Sequence, residues 1–371
     1  MSSSQLFRPI TVGPVSLQHR VVLAPLTRLK TTANLVPLLP LVKDYYTQRG
    51  STPGTLLITE SAFVAAKAGG YPHIPGIYSP EQINAWKEVV DSVHARGSSI
   101  FVQLLALGRG AMPDVLRAMD PTFSVVSASD IPVDPNAEDK PRPLTIEEIQ
   151  EYVGLFVQAA KNAMEAGFDG VEIHADNGCL VDQFLQDVSN NRTDAYGGSV
   201  ENRARFPLEI VQAVADAIGE SKTAIRISPW SPFMGMGMKD PIPTYTHLLS
   251  ELKRSHPKLA FLHVVEPRIA ANLTVELSPD NANHSNDFIR EIWGDDIPLI
   301  SAGGYSRDSA IALADKHPNA LVAFGRHFIA NPDLPVRLAK DIPLHPYDRS
   351  TFYLPGVDEP TGYTDQPFAT Q

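Results

Sequence analysis

Eight short apolar runs, each followed by a helical or loop segment, limit what this chain can fold into more than any other feature. The runs are continuously apolar, as strands of a parallel sheet covered by helices are. Because consecutive parallel strands need a crossover between them, the repetition predicts an α/β fold, a (β/α)8 or TIM barrel. The runs are 21–26, 55–58, 100–104, 170–173, 223–227, 261–265, 298–301 and 320–324.

Signals for helix starts support the same alternation. Ser79 and Pro80 suit an N-cap and a first helical residue, and apolar residues at helical spacing follow as far as Gly97. Thr145 and Glu148 have the spacing of a capping box. Right-handed crossovers bring the C-terminal ends of all the strands to one face, so polar residues at those ends are the candidates for chemistry.

One barrel accounts for the length of the chain. A single (β/α)8 domain of this size is common, so we expect one domain over residues 1–371. Residues 6–20 are predicted to form a hairpin that closes the barrel floor. The long stretch 108–143 contains a β-prone run at 123–126, and we expect it to form a hairpin lid after the third strand.

Charge and cysteine content exclude several classes of protein. Lys and Arg number 31 and Asp and Glu number 42, and the net charge of −11 disfavours nucleic-acid partners and a polybasic membrane anchor. The one cysteine, Cys179, excludes an internal disulfide and cysteine-rich metal sites. No signal peptide, apolar span of about 18 residues or C-terminal targeting sequence is visible. We therefore expect a cytoplasmic protein without membrane partners.

Four strand ends carry polar residues that could face a ligand. Thr27 offers a hydroxyl and Gln103 an amide, although a capped turn and a satisfied core amide are equally good interpretations of these two. His174 and Asn177 follow the fourth strand and could both donate to one carbonyl oxygen or oxyanion. Arg226 has the parity of an interior residue, which requires an anionic or electron-rich partner, either a ligand or a structural glutamate.

Glycines at the ends of the last two strands predict a phosphate site. Gly303 and Gly304 follow the seventh strand, and Gly325 and Arg326 follow the eighth. Backbone N–H groups at such glycines can approach a phosphate, with the arginine as countercharge. Dinucleotide, Walker A, zinc-protease and serine-hydrolase motifs are absent, and the histidines do not cluster at metal-ligand spacing, so we expect no metal.

These motifs together resemble the Old Yellow Enzyme family of FMN-dependent ene-reductases, in its fungal and classical branch. The resemblance covers nearly the whole chain, from Leu6 to about Phe368. The matching stretches are 24–27, 44–49, 68–71, 103, 170–174, 190–198, 201–206, 229–230, 325–326 and 348–353.

The resemblance implies a role for each candidate residue. FMN would lie across the barrel mouth, with its phosphate on the two glycine ends and its ring held by the other strand ends. The implied FMN-binding residues are Pro25, Leu26, Thr27, Ser61, Gln103, Arg226, Gly303, Gly304, Gly325 and Arg326. The substrate pocket would be formed by Tyr71, Leu105, His174, Asn177, Leu273 and Tyr353.

The implied reaction is ping-pong. NADPH or NADH reduces the flavin and leaves, and an α,β-unsaturated carbonyl compound then accepts hydride at its β-carbon. His174 and Asn177 would bind the carbonyl oxygen, and an acid would protonate the α-carbon. The resemblance also implies a monomer or a homodimer.

Cys179 departs from the family pattern, in which a tyrosine at this position supplies the proton. A thiol is a stronger acid than a phenol but its side chain is much shorter. Three interpretations stay open: Cys179 donates directly or through water, another group donates while Cys179 opens space for a bulky substrate, or the reaction is redox-neutral. Leu105, where many relatives carry a large aromatic, also indicates a roomy pocket and a polycyclic or terpenoid-like substrate of secondary metabolism.

We therefore expect an NAD(P)H-dependent ene-reductase of the NADPH dehydrogenase type. The alternatives are an isomerase, cyclase or desaturase of the same fold, and a non-catalytic FMN-binding protein. The presence of both His174 and Asn177 disfavours the last alternative, because a binding module needs no oxyanion pair.

Overall fold

The computed structural model of the protein describes residues 4–137, 139–276, 278 and 281–369. The expectations about targeting signals rest partly on residues 1–3, 370 and 371, which lie outside the described residues. Within the described part, no helix is long and apolar enough to cross a membrane.

Eight parallel strands close a barrel in chain order, as predicted. Each of the eight apolar runs contributes one strand, and consecutive strands are hydrogen-bonded neighbours. The barrel strands are Val21–Leu23, Leu56–Phe63, Ser99–Leu105, Gly170–Ala175, Thr223–Ile227, Leu262–Val265, Leu299–Ala302 and Ala320–Phe324.

The second barrel strand is longer than its apolar run, which ends at Ile58. Pairing with the third strand shifts register between Ile58 and Ser61 and then resumes, so the strand extends to Phe63. The irregularity lets the polar residues 59–61 stay in the sheet, and it places Ser61 beside Gln103.

Helices alternate with the strands, and their starts follow the capping signals. Ser79 and Thr145 each form a complete capping box at the start of a helix. The α-helices are Leu41–Arg49, Pro80–His94, Pro113–Met119, Ile146–Glu165, Leu180–Leu185, Val200–Ile218, Ile242–Ser255, Asp287–Trp293, Arg307–Lys316, Arg326–Ala330 and Leu334–Lys340. Short 3-10 helices lie at Gln5–Phe7, Ala66–Ala68, Gly108–Gly110, Glu220–Lys222, Phe233–Gly235 and Arg349–Thr351.

The barrel is filled and closed at its N-terminal end. Phe101 and Phe261 meet inside it with ring centroids 5.3 Å apart. The predicted floor hairpin is confirmed as the antiparallel strands Ile10–Val12 and Val15–Leu17, whose buried Val12 and Leu17 belong to the same interior cluster. The opposite end of the barrel, where the strands finish, is open.

The excursion over residues 108–143 is present, but the predicted hairpin within it is wrong. Its two short strands, Val126–Ser127 and Arg142–Pro143, pair in parallel. A parallel pair needs a crossover between its two strands, which the tight turn of a hairpin does not provide. The excursion also carries the helix Pro113–Met119.

Candidate active site

A cavity of about 1040 Å³ opens at the C-terminal ends of the barrel strands. Residues from widely separated parts of the chain line it, because the barrel brings all eight strand ends together. Of the residues singled out in the sequence, the cavity is lined by Pro25, Leu26, Thr27, Ser61, Tyr71, Gln103, Leu105, His174, Asn177, Cys179, Arg226, Gly303, Gly304, Gly325, Arg326 and Tyr353.

His174 and Asn177 lie together at the end of the fourth barrel strand. His174 is a strand residue, whereas Asn177 follows in a turn with a φ of 50°, a conformation that asparagine tolerates well. The backbone N–H of Asn177 donates to the hydroxyl of Ser228 over 2.8 Å. Both side chains line the cavity while being largely buried. One amide hydrogen of Asn177 is donated to Asp176, which leaves the second for a ligand atom.

Arg226 has an aspartate as its partner, where the sequence had suggested a glutamate or a ligand. Its Nη1 donates to Oδ2 of Asp176 over 2.7 Å. Asp176 lies just beyond the fourth strand, next to the strand of Arg226, and its side chain is fully buried. The charges of Arg226 and Asp176 therefore balance each other. Nε of Arg226 is also buried but has no hydrogen-bond partner among the described residues, so it can bind an acceptor atom of a ligand.

Burial and neighbouring charges shift the pKa values of Asp176 and His174 in opposite directions. Burial by itself raises the pKa of Asp176, but Arg226 and His174 outweigh it and bring this pKa down to about 2. Burial by itself lowers the pKa of His174, but the charge of Asp176 and the contact with Cys179 hold it well above its usual value. Asp176 therefore favours the charged form of His174.

Polar contacts run from the cavity into the barrel through Gln103. The hydroxyl of Ser61 donates to Oε1 of Gln103, and Nε2 of Gln103 donates to Oε1 of Glu172 over 2.7 Å. Since Glu172 is fully buried, it fixes which way the Gln103 amide faces. The Gln103 amide therefore belongs to a chain of hydrogen bonds that runs from Ser61 to Glu172.

The two predicted glycine ends form a cradle on the other side of the cavity. Gly303 and Gly304 have φ angles of 147° and 63°, which disfavour any side chain. A Cβ added to Gly303 would lie 2.7 Å from the side chain of Glu266. Arg326 is the first residue of the helix Arg326–Ala330, and its guanidinium adds positive charge to this cradle.

The remaining wall of the cavity is apolar. Leu105 and Cys179 belong to one buried apolar cluster with Leu29 and Leu107, and the short thiol side chain also contacts His174. Cys179 precedes the helix Leu180–Leu185 and is only 5% exposed. Tyr71 and Tyr353 are 40% and 43% exposed and lie at the mouth.

Leu273 is the one predicted site residue that does not line the cavity. It belongs to the two-residue strand Leu273–Thr274 and is 54% exposed, whereas its neighbours Asn272 and Thr274 face the cavity. The alternation of side chains along an extended strand accounts for this difference.

Sequence reasoning missed Asp176 and Arg109. Asp176 lies between His174 and Asn177 in the sequence, but its contact with Arg226 follows only from the register of the fourth and fifth strands. Arg109 ties the excursion to the loop after the fifth strand, because its Nη2 donates to the carbonyl of Met234 over 2.9 Å. No local signal marks Arg109, since its guanidinium donates to three backbone carbonyls that are distant in the chain, those of Ile131, Met234 and Gly235.

The residues around the cavity fit FMN. Gln103 and the unpartnered Nε of Arg226 suit the polar edge of a flavin ring, and the glycine cradle with Arg326 suits a phosphate. The cavity is large enough for the ring and for a second planar molecule beside it.

Comparisons with known proteins agree with this assignment. The NADH:flavin oxidoreductase / NADH oxidase family matches residues 5–345. The chain is 48% identical to "NADP-dependent oxidoreductase lnbE" of Aspergillus flavus and 49% identical to "Chanoclavine-I aldehyde reductase fgaOx3" of Penicillium roqueforti, covering 99% of this chain and 97% of each relative.

The fold comparison gives the same result. Old Yellow Enzyme from Pichia sp. AKU4542 superposes with a TM-score of 0.90 at 36% identity, over 100% of this chain and 95% of that one. The cofactor is FMN and the hydride donor is a nicotinamide nucleotide. The chain belongs to the Old Yellow Enzyme family of FMN-dependent oxidoreductases.

Proposed function

We propose that the protein reduces the carbon–carbon double bond of α,β-unsaturated carbonyl compounds. The observation that carries this proposal is the pair His174 and Asn177, two buried donors on one side of a cavity that fits FMN. Donors placed where negative charge develops on a carbonyl oxygen stabilise the transition state of hydride addition.

Bound FMN supplies hydride, which it receives from the nicotinamide nucleotide. We assign its ring to Pro25, Leu26, Thr27, Ser61, Gln103 and Arg226, and its phosphate to Gly303, Gly304, Gly325 and Arg326. Arg226 places positive charge at the ring edge, where it favours the anionic reduced state.

The protein's own residues then act on the substrate. His174 and Asn177 draw electron density toward the carbonyl oxygen and make the β-carbon electrophilic. Tyr71 and Tyr353 flank the entrance. We assign the proton for the α-carbon to the thiol of Cys179, acting directly or through one water, because it is the acidic side chain on the apolar wall beside His174.

The shape of the cavity favours a bulky substrate. Leu105 and Cys179 leave room on the apolar wall that larger side chains would fill. The relative from Penicillium roqueforti is named as a reductase of chanoclavine-I aldehyde, which favours an aldehyde as the carbonyl group. We therefore propose a polycyclic α,β-unsaturated aldehyde as the natural substrate class.

A redox-neutral isomerisation is the second candidate function, and Cys179 is the observation that favours it. Its short, buried side chain gives a proton donor little reach. Slow protonation by Cys179 would favour a reaction without net reduction, in which the hydride that bound FMN would supply is not retained in the product.

The two functions differ in their products. The holoenzyme is reduced anaerobically with NADPH, excess donor is removed, and 2-cyclohexenone or a polycyclic unsaturated aldehyde is added. A reductase shows bleaching of the flavin band, recovery after the carbonyl compound is added and one saturated product per flavin. Recovery of isomerised, unsaturated material with the flavin still reduced would support the redox-neutral function. Absence of bleaching by NADPH would contradict both.

A further inference from the structure

We propose that Asp176 is a positioning residue that acts on both halves of the reaction, by holding Arg226 on the flavin side and His174 on the carbonyl side. The part that concerns His174 and the carbonyl compound rests on the proposed function. The part that concerns Arg226 requires only that the protein binds FMN. Neither the general fit of the cavity to FMN nor the oxyanion pair requires a buried carboxylate at this place.

Three side chains converge on the carboxylate of Asp176. Its Oδ2 accepts hydrogen bonds from Nη1 of Arg226 and from Nδ2 of Asn177, each over 2.7 Å. Its Oδ1 lies 3.0 Å from Nδ1 of His174, at ion-pair distance. Asp176 has no solvent exposure, so water does not screen these contacts.

Strand register explains why one carboxylate can reach all three. His174 and Arg226 are paired positions on the neighbouring fourth and fifth barrel strands. Asp176 comes two residues after His174, where the chain leaves the sheet and turns at Asn177. Its side chain therefore lies between the paired histidine and arginine.

The electrostatic surroundings of His174 and Asp176 come from several elements. Asp176 is the carboxylate in direct contact with Arg226 and His174, and four other titratable groups also act on the pair, of which Cys179 contacts His174. Those groups are His263 on the sixth strand, Cys179 in the turn, Asp182 in the helix Leu180–Leu185 and Tyr245 in the helix Ile242–Ser255.

The contacts of Asp176 with Arg226 and with His174 have opposite consequences for reduction of the flavin and for reduction of the substrate. On the flavin side, the carboxylate offsets the charge of Arg226, so the anionic reduced flavin is stabilised less than it would be by a free guanidinium. On the carbonyl side, the carboxylate favours the charged form of His174 and so strengthens its bond to the developing oxyanion. Asp176 therefore weakens flavin reduction and promotes reduction of the substrate.

The test compares Asp176→Asn with Asp182→Asn, both as FMN-loaded proteins. Asp182 is an equally buried carboxylate in the next helix that contacts neither Arg226 nor His174. Asparagine keeps the size of each side chain and removes the charge. Three quantities are measured: the midpoint potential of bound FMN, the rate at which 2-cyclohexenone reoxidises the reduced protein, and the pKa of His174 by NMR.

We expect Asp176→Asn to shift the reduction equilibrium toward reduced flavin by about tenfold, a rise of about 30 mV for a two-electron couple. Reoxidation should slow by at least about tenfold, and the pKa of His174 should fall. Asp182→Asn should change the potential and the pKa of His174 much less than Asp176→Asn does, because Asp182 contacts neither Arg226 nor His174. An unchanged potential of bound FMN in Asp176→Asn, or an unchanged pKa of His174, would overturn the proposal.

Failure of this proposal can be distinguished from failure of the proposed function and from loss of folding. The potential and the pKa of His174 need no substrate, so they test Asp176 even if the wild-type protein fails to reduce an enone. Asp176→Glu, which retains the charge, should keep the wild-type potential. If neither variant binds FMN, NMR of the wild-type protein still decides, because a His174 that is neutral at pH 7 contradicts the proposal.

Discussion

Nδ1 of His263 lies 2.7 Å from Oε2 of Glu172 in the middle of the barrel, where neither side chain has any solvent exposure. The other oxygen of Glu172 accepts from the amide of Gln103, which lines the cavity. Burial lowers the pKa of His263 although Glu172 opposes this, so the imidazole contributes little positive charge. The pair therefore orients Gln103 through hydrogen bonds.

Removal of Glu172 is predicted to damage both stability and flavin binding. Glu172→Ala leaves Gln103 and His263 without their buried partner, and we expect the free energy of unfolding to fall by about 3 kcal/mol. The fraction of protein purified without FMN should rise, because the Gln103 amide is no longer fixed. Urea unfolding and the flavin-to-protein absorbance ratio measure the two effects. Glu165→Ala, at an exposed helix position, should change stability by less than about 0.5 kcal/mol.

Asn177 is predicted to act mainly in the step that uses the carbonyl compound. Asn177→Ala removes one oxyanion donor, and we expect reoxidation of the reduced flavin by 2-cyclohexenone to slow by about 10²- to 10³-fold. Stopped-flow absorbance at the flavin band measures this rate. Asn162→Ala removes a buried asparagine that donates to the carbonyl of Ile77, outside the cavity, and should leave the rate unchanged. An equal loss in both variants would contradict the assignment of Asn177.

The role of Cys179 as proton donor predicts that acidity matters more than size. Cys179→Ser keeps the volume of the side chain but replaces the thiol with a far weaker acid, so product formation should slow by about 10²-fold, as should Cys179→Ala. Reduction of the flavin by NADPH should stay within about threefold of wild type in both. Product analysis and single-turnover rates measure these effects. Wild-type rates in both variants would instead assign the proton to water.

His19 is predicted to make stability depend on pH from a place far from the cavity. Burial lowers its pKa from 6.5 to about 4, while its ring contacts Thr55 and accepts from the N–H of Val21. Between these values the unfolded chain binds a proton that the folded protein does not, so stability falls as pH falls.

The variant His19→Asn removes this titration. We expect the wild-type protein to lose about 3 kcal/mol relative to His19→Asn between pH 7 and pH 4, as measured by urea unfolding. His345→Asn, at an exposed position, should keep the wild-type pH dependence. Parallel pH profiles of wild type and His19→Asn would contradict the assignment.

The barrel could be predicted from the sequence because its signal is repeated and local. Each buried strand needs a continuous apolar run, and each helix start carries its own capping residues. Ser61 shows the limit of this signal, since the polar residues 59–61 stay in the second strand only because of an irregular pairing with the third. The form of the excursion over residues 108–143 depends on tertiary contacts such as those of Arg109, so its strand pairing could not be predicted.

The candidate site was predictable to the extent that strand ends define it. His174, Arg226 and Gly303 each follow directly from the position of a strand. Asp176 lies beyond a strand end, and its contact with Arg226 depends on register between two strands, which sequence spacing does not give. That Leu273 does not line the cavity could not be read from the sequence, because the direction of a side chain in a two-residue strand depends on how that strand packs on the barrel.

The fate of labelled hydrogen tests most directly whether the enzyme adds hydride to a conjugated double bond. Turnover with NADPH carrying deuterium at C4, in ordinary water, is followed by NMR of the product from 2-cyclohexenone. We expect cyclohexanone with deuterium at the β-carbon and solvent hydrogen at the α-carbon. Reduction at the carbonyl carbon to an unsaturated alcohol, or return of unsaturated ketone with no NADPH consumed, would contradict it.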